Sequence, residues 1–480
     1  MSKEQLFSLI DAKQEQYKKA ADQIWSHPET RYEEKKSSAV LIDLLRKEGF
    51  HVEENVGTIP YAFVGTWGSG APRIGFLGEF DALGSLSQKA DIAVREPVQA
   101  GGHGHGCGHH LLGSASLASV VALKDYMSEH KMPGTILYYG TPGEEGGSGK
   151  AFMAREGVFT GLDAAITWHP GTTTNVTSGS SLANIQVYFK YIGRASHAGG
   201  SPHLGRSALD AVELMNVGVQ YLREHIITEA RVHYAIINTG GKSPNVVQPE
   251  AEVLYLIRAP KNQQVQEIFQ RVCDIARGAA LMTSTQMSFQ IDKACSNLIP
   301  NEILEQLMND NLKLIPTRVP TPEELAFADE IQKTLSEEEK GSTLKGLVEE
   351  YGESKARKMK EQFLNPLLND ELWPYKTSEK AMSGSTDVSD VSWVAPTVQC
   401  NTSCYALNTP GHSWQLVAQG KNNWAHTGML KAAKAMAGVG LDLLWNPALL
   451  EQAKKELTER IGPEGYQCPI PAGVKPSPVK

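Results

Sequence analysis

The sequence has no uninterrupted apolar segment of transmembrane length, and its start, MSKEQLFSLIDAKQEQ, is charged and amphipathic rather than a signal peptide. A membrane partner is therefore not expected. Cysteine is sparse: Cys107, Cys273, Cys295, Cys400, Cys404 and Cys468 are scattered without the spacing of a disulfide framework. Reduced thiols and a cytoplasmic location are the simpler expectation. Positive charge is not in excess either. A formal net charge of -8 argues against nucleic acid or an anionic membrane as main partner. It leaves room for a small anionic substrate, because one arginine can dominate inside a cleft. What the chain does have is length: 480 residues exceed one ordinary core and favour two or more domains.

The stretch from Leu6 to about Glu48 reads as helix, interrupted at His27-Pro28, with Gly49 as its stop. RIGFLGE at 73–79, TILYYG at 135–140 and AAITW at 164–168 are short apolar runs, and a small-residue helix lies between the first two, roughly Leu111 to Tyr126. Strands alternating with helices predict an α/β domain with a mostly parallel sheet flanked by helices. From about Ser181 the pattern changes. Ile185, Val187, Phe189 and Tyr191 alternate with Gln186, Tyr188 and Lys190, as in a strand. Helix at 207–226, strands at 231–238 and 251–258, helix at 263–282 and strand at 287–294 complete a β-α-β-β-α-β order, the ferredoxin-like signature. The expected organisation is a catalytic domain in two halves, 1–180 and 297–480, with a ferredoxin-like α+β module inserted at 181–296. A charged helical insertion near 317–379 reads as a solvated addition, and the Pro-rich tail beyond Glu464 as irregular.

The densest chemical cluster is Gly-His-Gly-Cys-Gly-His-His at 104–110. Its glycines let Cys107 and His109 point the same way from a loop before a helix, and a thiolate and an imidazole both suit borderline divalent metals. His103, His105 and His110 are expected to support rather than ligate. Gly143-Glu144-Glu145-Gly146-Gly147 follows a predicted strand at its carboxyl end, where open α/β sheets build sites. Adjacent carboxylates can divide the work, one on a metal and one on the attacking water. His169 ends another strand, and His412 and His426 are late candidates. In the inserted module, Gly193 to Ala198 carries His197, Asn245 sits in SPNVV, and Arg258 closes AEVLYLIR. A guanidinium near an amide makes a carboxylate clamp, although spacing alone favours a strand-end surface charge for Arg258.

These residues resemble the co-catalytic metallopeptidases that include aminoacylases, carboxypeptidase G-type enzymes and auxin-amino-acid conjugate hydrolases, in the branch with a C-G-H metal motif. Carrying segments are GEFDALGSLSQ, GHGCGHHLLG, GTPGEEGGSGKAFMAREGVF, AITWHP, SPHLGRSALDAV, SPNVVQ and AEVLYLIRAP. The resemblance implies Cys107, His109, Glu145, His169 and His412 (rather than His426) as ligands of two divalent ions, manganese favoured and zinc possible. It implies Glu144 as general base, His197 as the oxyanion contact reaching a neighbouring protomer, and Asn245 and Arg258 as substrate-carboxylate contacts. The substrate implied is a small amide with a free carboxylate, p-aminobenzoyl-glutamate cleaved to p-aminobenzoate and glutamate. The alternatives are a dipeptidase or N-acyl-amino-acid hydrolase, or a non-catalytic scaffold within a heteromeric hydrolase. The expected assembly is a homodimer, or a heterodimer with a homologous A-type subunit. Two segments depart from the family pattern: His110 follows C-G-H where Asp is usual, and Ser385-Thr386-Asp387-Val388 replaces S-E-D-F.

Overall fold

The computed structural model describes residues 3–361, 363 and 365–478. Apolar runs long enough to be buried on both faces make its main sheet. Strands β1 (His51–Glu54), β2 (Phe63–Ser69), β3 (Arg73–Glu79), β4 (Gly134–Thr141), β5 (Ala164–Gly171), β6 (Asn175–Val176) and β11 (Thr397–Ser403) form it in the order β1-β2-β4-β3-β5-β11-β6. The central four, β4-β3-β5-β11, are mutually parallel, while β1, β2 and β6 attach antiparallel at the two edges. β4 is buried at every position and β3 at all but its first residue, as parallel strands covered on both faces must be. The helices His109–His130 and Asn423–Trp445, rich in small residues, pack closely against one another over the sheet.

The second sheet is antiparallel, in the order β10-β7-β9-β8, from β7 (Ala183–Ile192), β8 (Arg231–Asn238), β9 (Glu250–Ala259) and β10 (Gln286–Cys295). Helices Ala208–Leu222 and Asn262–Thr283 cover one face, giving the β-α-β-β-α-β order read from the sequence. β9 alternates strictly between buried and half-buried positions, because only one of its faces meets those helices. β8 is an edge strand with almost every side chain exposed.

Four features differ from the sequence expectation. The N-terminal helical stretch is three helices, Lys3–Ala12, Gln14–Trp25 and Lys35–Lys47, the last two separated by the segment around Pro28. The hairpin β1–β2 and the inner strand β11 went unread. HVEE is polar, and TVQCNTS interleaves polar residues in a strand whose partner β5 lies over 200 residues away. Finally, the charged insertion is not merely solvated. Its helices Pro322–Lys333, Glu337–Lys340, Ser342–Tyr351 and Glu353–Glu361 include one that buries Ala328 and Ile331 against Trp424. Gln332 also donates to the Leu407 carbonyl, which places the insertion over the loop leading to His412.

Candidate metal centre

The carboxyl ends of β3, β4, β5 and β11 converge, and each delivers a functional group. Glu79 ends β3 and Asp81 follows it; past β4 comes the turn Gly143–Gly147; His169 lies within the end of β5; and the loop after β11 leads to His412. Opposite them, His109 opens the helix His109–His130 behind Gly108, whose φ is +82°. A Cβ at Gly108 would also run into the Tyr405 hydroxyl and the Pro170 ring. Glycine is therefore required there twice over, by conformation and by space.

Three sets of ligand-type atoms each lie within 4.8 Å of one another: Cys107/His109/His169, Cys107/Glu145/His412 and Glu79/His109/Glu144. Cys107 belongs to two of them, and its Sγ is 3.3 Å from His169 Nε2. His412 Nε2 lies 3.3 Å from Glu145 Oε1, and the His412 amide donates to the Gly106 carbonyl at 2.9 Å, tying the two ligand loops together. The sequence-predicted group Cys107, His109, Glu144, Glu145, His169 and His412 is thus gathered in one place. His426 is not in it: its Nε2 meets Asp22 Oδ1 at 2.9 Å. His105 and His110 bond the Ile24 and Gly420 carbonyls from fully buried positions, while His103 is exposed. Burial, with like-charged neighbours, pushes His105 down to about 3 and His110 well below the usual range, as suits neutral structural rings.

Four groups in this region were missed by sequence reasoning. Asp81 Oδ1 lies 2.8 Å from His109 Nδ1, and its Oδ2 accepts the Glu145 amide at 2.7 Å. One carboxylate therefore orients an imidazole and a carboxylate-bearing turn together. Lys150 is wholly buried, with Nζ 2.7 Å from both Glu79 Oε1 and Asp387 Oδ1. The departing segment Ser385–Val388 thus contributes Asp387 rather than its substituted threonine. The signal for Asp81 was present in GEFDALG, two acids just past a predicted strand. Lys150 and Asp387, singly placed charges, gave none.

The electrostatics separate the two adjacent glutamates. Burial, reinforced by the Glu79 and Glu145 carboxylates, raises Glu144 well above the usual carboxylate range. Burial would raise Glu145 too, but the His412 contact and the charge on His109 outweigh it and hold it down to about 2. Burial and the Glu145 charge raise the Cys107 thiol. A divalent cation would reverse that, since a coordinated thiol is deprotonated.

The residues fit such ions. His109 Nε2 and Glu145 Oε1 are buried without a hydrogen-bond partner, although Glu79 Oε2 (3.2 Å) and His412 Nε2 (3.3 Å) stand close outside hydrogen-bond geometry. Buried polar atoms left open this way need a partner, and sulfur, nitrogen and oxygen donors facing one space suit a borderline divalent metal.

The remaining predicted residues lie on the smaller sheet's side. His197 is exposed, its Nδ1 accepting the Gly199 and Gly200 amides at 3.1 and 2.9 Å. Asn245 is exposed beside it, its carbonyl accepting the Ala198 amide at 2.9 Å. Arg258 faces Asn184 and Arg231 across the strands, and its Nε is buried without a partner. It lines a cleft of about 1510 Å³ with Arg231, Lys261, Lys380 and Asn401. Asn401 is the register neighbour of His169, so the cleft reaches the edge of the strand pair β5–β11. Among the described residues, none of His197, Asn245 and Arg258 bonds to the Cys107 cluster.

The family model for peptidase family M20/M25/M40 matches residues 75–472. The chain belongs to peptidase family M20/M25/M40. As an M20 enzyme it is a metal-dependent amide hydrolase. It is 49% identical over 471 residues to the B-type chain of p-aminobenzoyl-glutamate hydrolase from Escherichia coli (strain K12), covering 98% of each chain. It is 28% identical to an Xaa-Arg dipeptidase of Mus musculus, over 90% of this chain and 86% of that one. Among solved structures, the fold matches an aminobenzoyl-glutamate utilization protein from Klebsiella pneumoniae (TM-score 0.60, 16% identity, 92% of this chain and 99% of that one). It also matches a dinuclear metal binding M20 peptidase from Bacillus subtilis (TM-score 0.54, 14% identity, 91% and 99%). The mixed sheet with a second antiparallel sheet is the M20 fold.

Proposed function

We propose that the protein hydrolyses p-aminobenzoyl-glutamate at its amide bond, giving p-aminobenzoate and glutamate, as a step in using folate fragments. The reaction type rests on one observation: Cys107 belongs to two ligand-spaced groups at once, with Glu144 in a third group sharing His109. The acyl group rests on the 49% full-length similarity to the Escherichia coli hydrolase chain, against 28% to the dipeptidase. A purely scaffolding chain would have no need of the shared thiol.

In this reading Cys107, His109, Glu145, His169 and His412 would hold two divalent ions. Manganese is favoured by family resemblance, and zinc suits the thiolate. Bound there, the ions polarise the scissile carbonyl and lower the pKa of water toward neutrality. Glu144 takes the water's proton and returns it to the leaving amine. Asp81 holds His109 in one tautomer and the Glu145 turn in place. Arg258 and Asn245 grip the glutamate carboxylate, and His197 meets the developing oxyanion from a neighbouring protomer.

Association fits the exposed surface of the smaller unit. Edge strand β8 leaves Tyr234, Ile236 and Ile237 in solvent, and the helix Ala208–Leu222 leaves Val217 and Tyr221 (75% exposed). A 28% match over 226 residues to the A-type chain of p-aminobenzoyl-glutamate hydrolase from Escherichia coli (strain K12) supports an A-type partner, and a second copy is the other arrangement. All six cysteines are free, which accords with a reducing cytoplasm, and no helix among the described residues is long and apolar enough to cross a membrane. The test is turnover of p-aminobenzoyl-glutamate by the purified chain, with and without manganese and with and without an A-type partner chain. Hydrolysis that is lost to chelator and restored by metal is expected; no turnover in any combination overturns the assignment.

A further inference from the structure

Arg31 is buried between the two sheets, in the segment separating helices Gln14–Trp25 and Lys35–Lys47. Its Nη1 donates to the carbonyl of Gly146, the residue after Glu145. The same guanidinium reaches Asp292 Oδ2 at 3.3 and 3.4 Å, and both side chains of that ion pair are almost fully buried. Asp292 belongs to β10, where the ladder with β7 slips between Ile291 and Lys293, so Asp292 is the extra residue of a β-bulge. A bulge breaks pairing and re-aims a side chain. Here it turns a carboxylate out of the smaller sheet toward an arginine of the larger unit, steadied by Gln186 Nε2 at 2.8 Å. The neighbours of Arg31 grip the same turn: Tyr32 donates its hydroxyl to the Gly147 carbonyl (2.7 Å), and Glu34 Oε1 accepts the Gly143 amide (2.8 Å).

We propose that Arg31 is a positioning residue that ties the Glu144–Gly146 turn to the smaller unit through Asp292. The proposed base, one proposed ligand and the substrate-gripping sheet are thereby set in one arrangement. The two halves of the contact do different work. The bond to Gly146 fixes where Glu144 and Glu145 stand; the bond to Asp292 fixes the sheet that carries Arg258 relative to them. The inference rests on the roles proposed above for Glu144 and Glu145.

The test compares Arg31→Met, Asp292→Asn, the double variant and Arg31→Lys in the metal-loaded enzyme, reading kcat, KM, bound metal by elemental analysis and Tm. Arg31→Met is expected to lower kcat on the order of 10²-fold, as a small misplacement of catalytic groups does, and to bind less metal. Asp292→Asn keeps the Gly146 bond, so it should hold its metal and raise KM more than it lowers kcat. The double variant should be no worse than Arg31→Met, and Arg31→Lys should recover part of the bound metal. Wild-type kcat, KM and metal content in both single variants, with only Tm lowered, would overturn the proposal, as would additive losses in the double variant. Should Arg31→Met not fold, Asp292→Asn decides: a folded variant with unchanged KM sinks the coupling. Glu144→Gln run beside them separates the two levels. An active Glu144→Gln removes the underlying reading, whereas an inactive one beside a wild-type-like Arg31→Met removes only this inference.

Discussion

The metal cluster and the groups on the smaller sheet are built on opposite principles. Around Cys107 most candidate ligands are braced: His109 and the Glu145 turn by Asp81, His169 by the Pro170 carbonyl and His412 by the Gly106 carbonyl, while Lys150 ties Glu79 to Asp387 beside them. His197 and Asn245 sit exposed on a loop pair held by local backbone bonds and by the His197 ring, and the buried Arg258 Nε has no hydrogen-bond partner. One region is tied together by its own side chains; the other leaves polar groups open. On the roles proposed above, fixed geometry serves the reacting bond and open donors serve the substrate's tail.

The largest expected effect tests the braced side. Glu144→Gln should lower kcat by about 10²–10⁴-fold while leaving bound metal unchanged, because the amide keeps the shape and loses only the proton carrier. Loss of metal together with activity would mean that Glu144 is a ligand and the division of labour between the two glutamates is wrong. Next, Asp81→Asn should weaken metal binding by about 10–100-fold, the usual size for a group that orients a ligand. An amide cannot accept from both the His109 ring and the Glu145 backbone as the carboxylate does. Unchanged metal affinity in a titration would show that the bracing is not functional.

On the open side the expected signature differs. Arg258→Met should raise KM by about tenfold or more, the scale of one charged hydrogen-bonded contact, with kcat and metal content nearly kept. If kcat falls and KM does not, Arg258 acts on the chemistry and the contrast between the two regions fails.

The same contrast explains what could be read in the sequence. β9 betrays itself by alternation, because a sheet with one wet face writes its burial at every second residue; β7 shows the same apolar spacing although Asn184 and Tyr188 on its other face are buried too. RIGFLGE and TILYYG show as apolar runs for the opposite reason, burial on both faces. β11 is hidden because its sequence is half polar and its pairing is remote. Within the site, clustered residues such as Cys107 and His109, or Glu144 and Glu145, stand out by local density. Lys150 and Asp387 gain meaning only from contacts across 237 positions, which no local pattern encodes. Arg31 is the same case: an ordinary arginine in WSHPETRYEE until folding sets it against Gly146 and Asp292.

The smallest effect probes the seam between the regions. Asp390 is buried and accepts the Ser296 amide (3.0 Å) and hydroxyl (2.8 Å) just past the end of β10, and the Tyr466 hydroxyl at 2.8 Å. Burial raises its carboxyl to about 7 despite those donors. An unfolded aspartate titrates near 3.9, so the folded state binds this proton more tightly. The resulting stability is fully present below about pH 4 and is lost as pH rises through about 7. Wild-type Tm should therefore decline from pH 5 to 8 by a few °C through this group, and Asp390→Asn, which carries no titrating proton, should show a shallower decline over that window. Parallel Tm–pH profiles for the two would mean that Asp390 stays ionised in the fold. The seam at Ser296 would then be a charged anchor between the two regions rather than a neutral one.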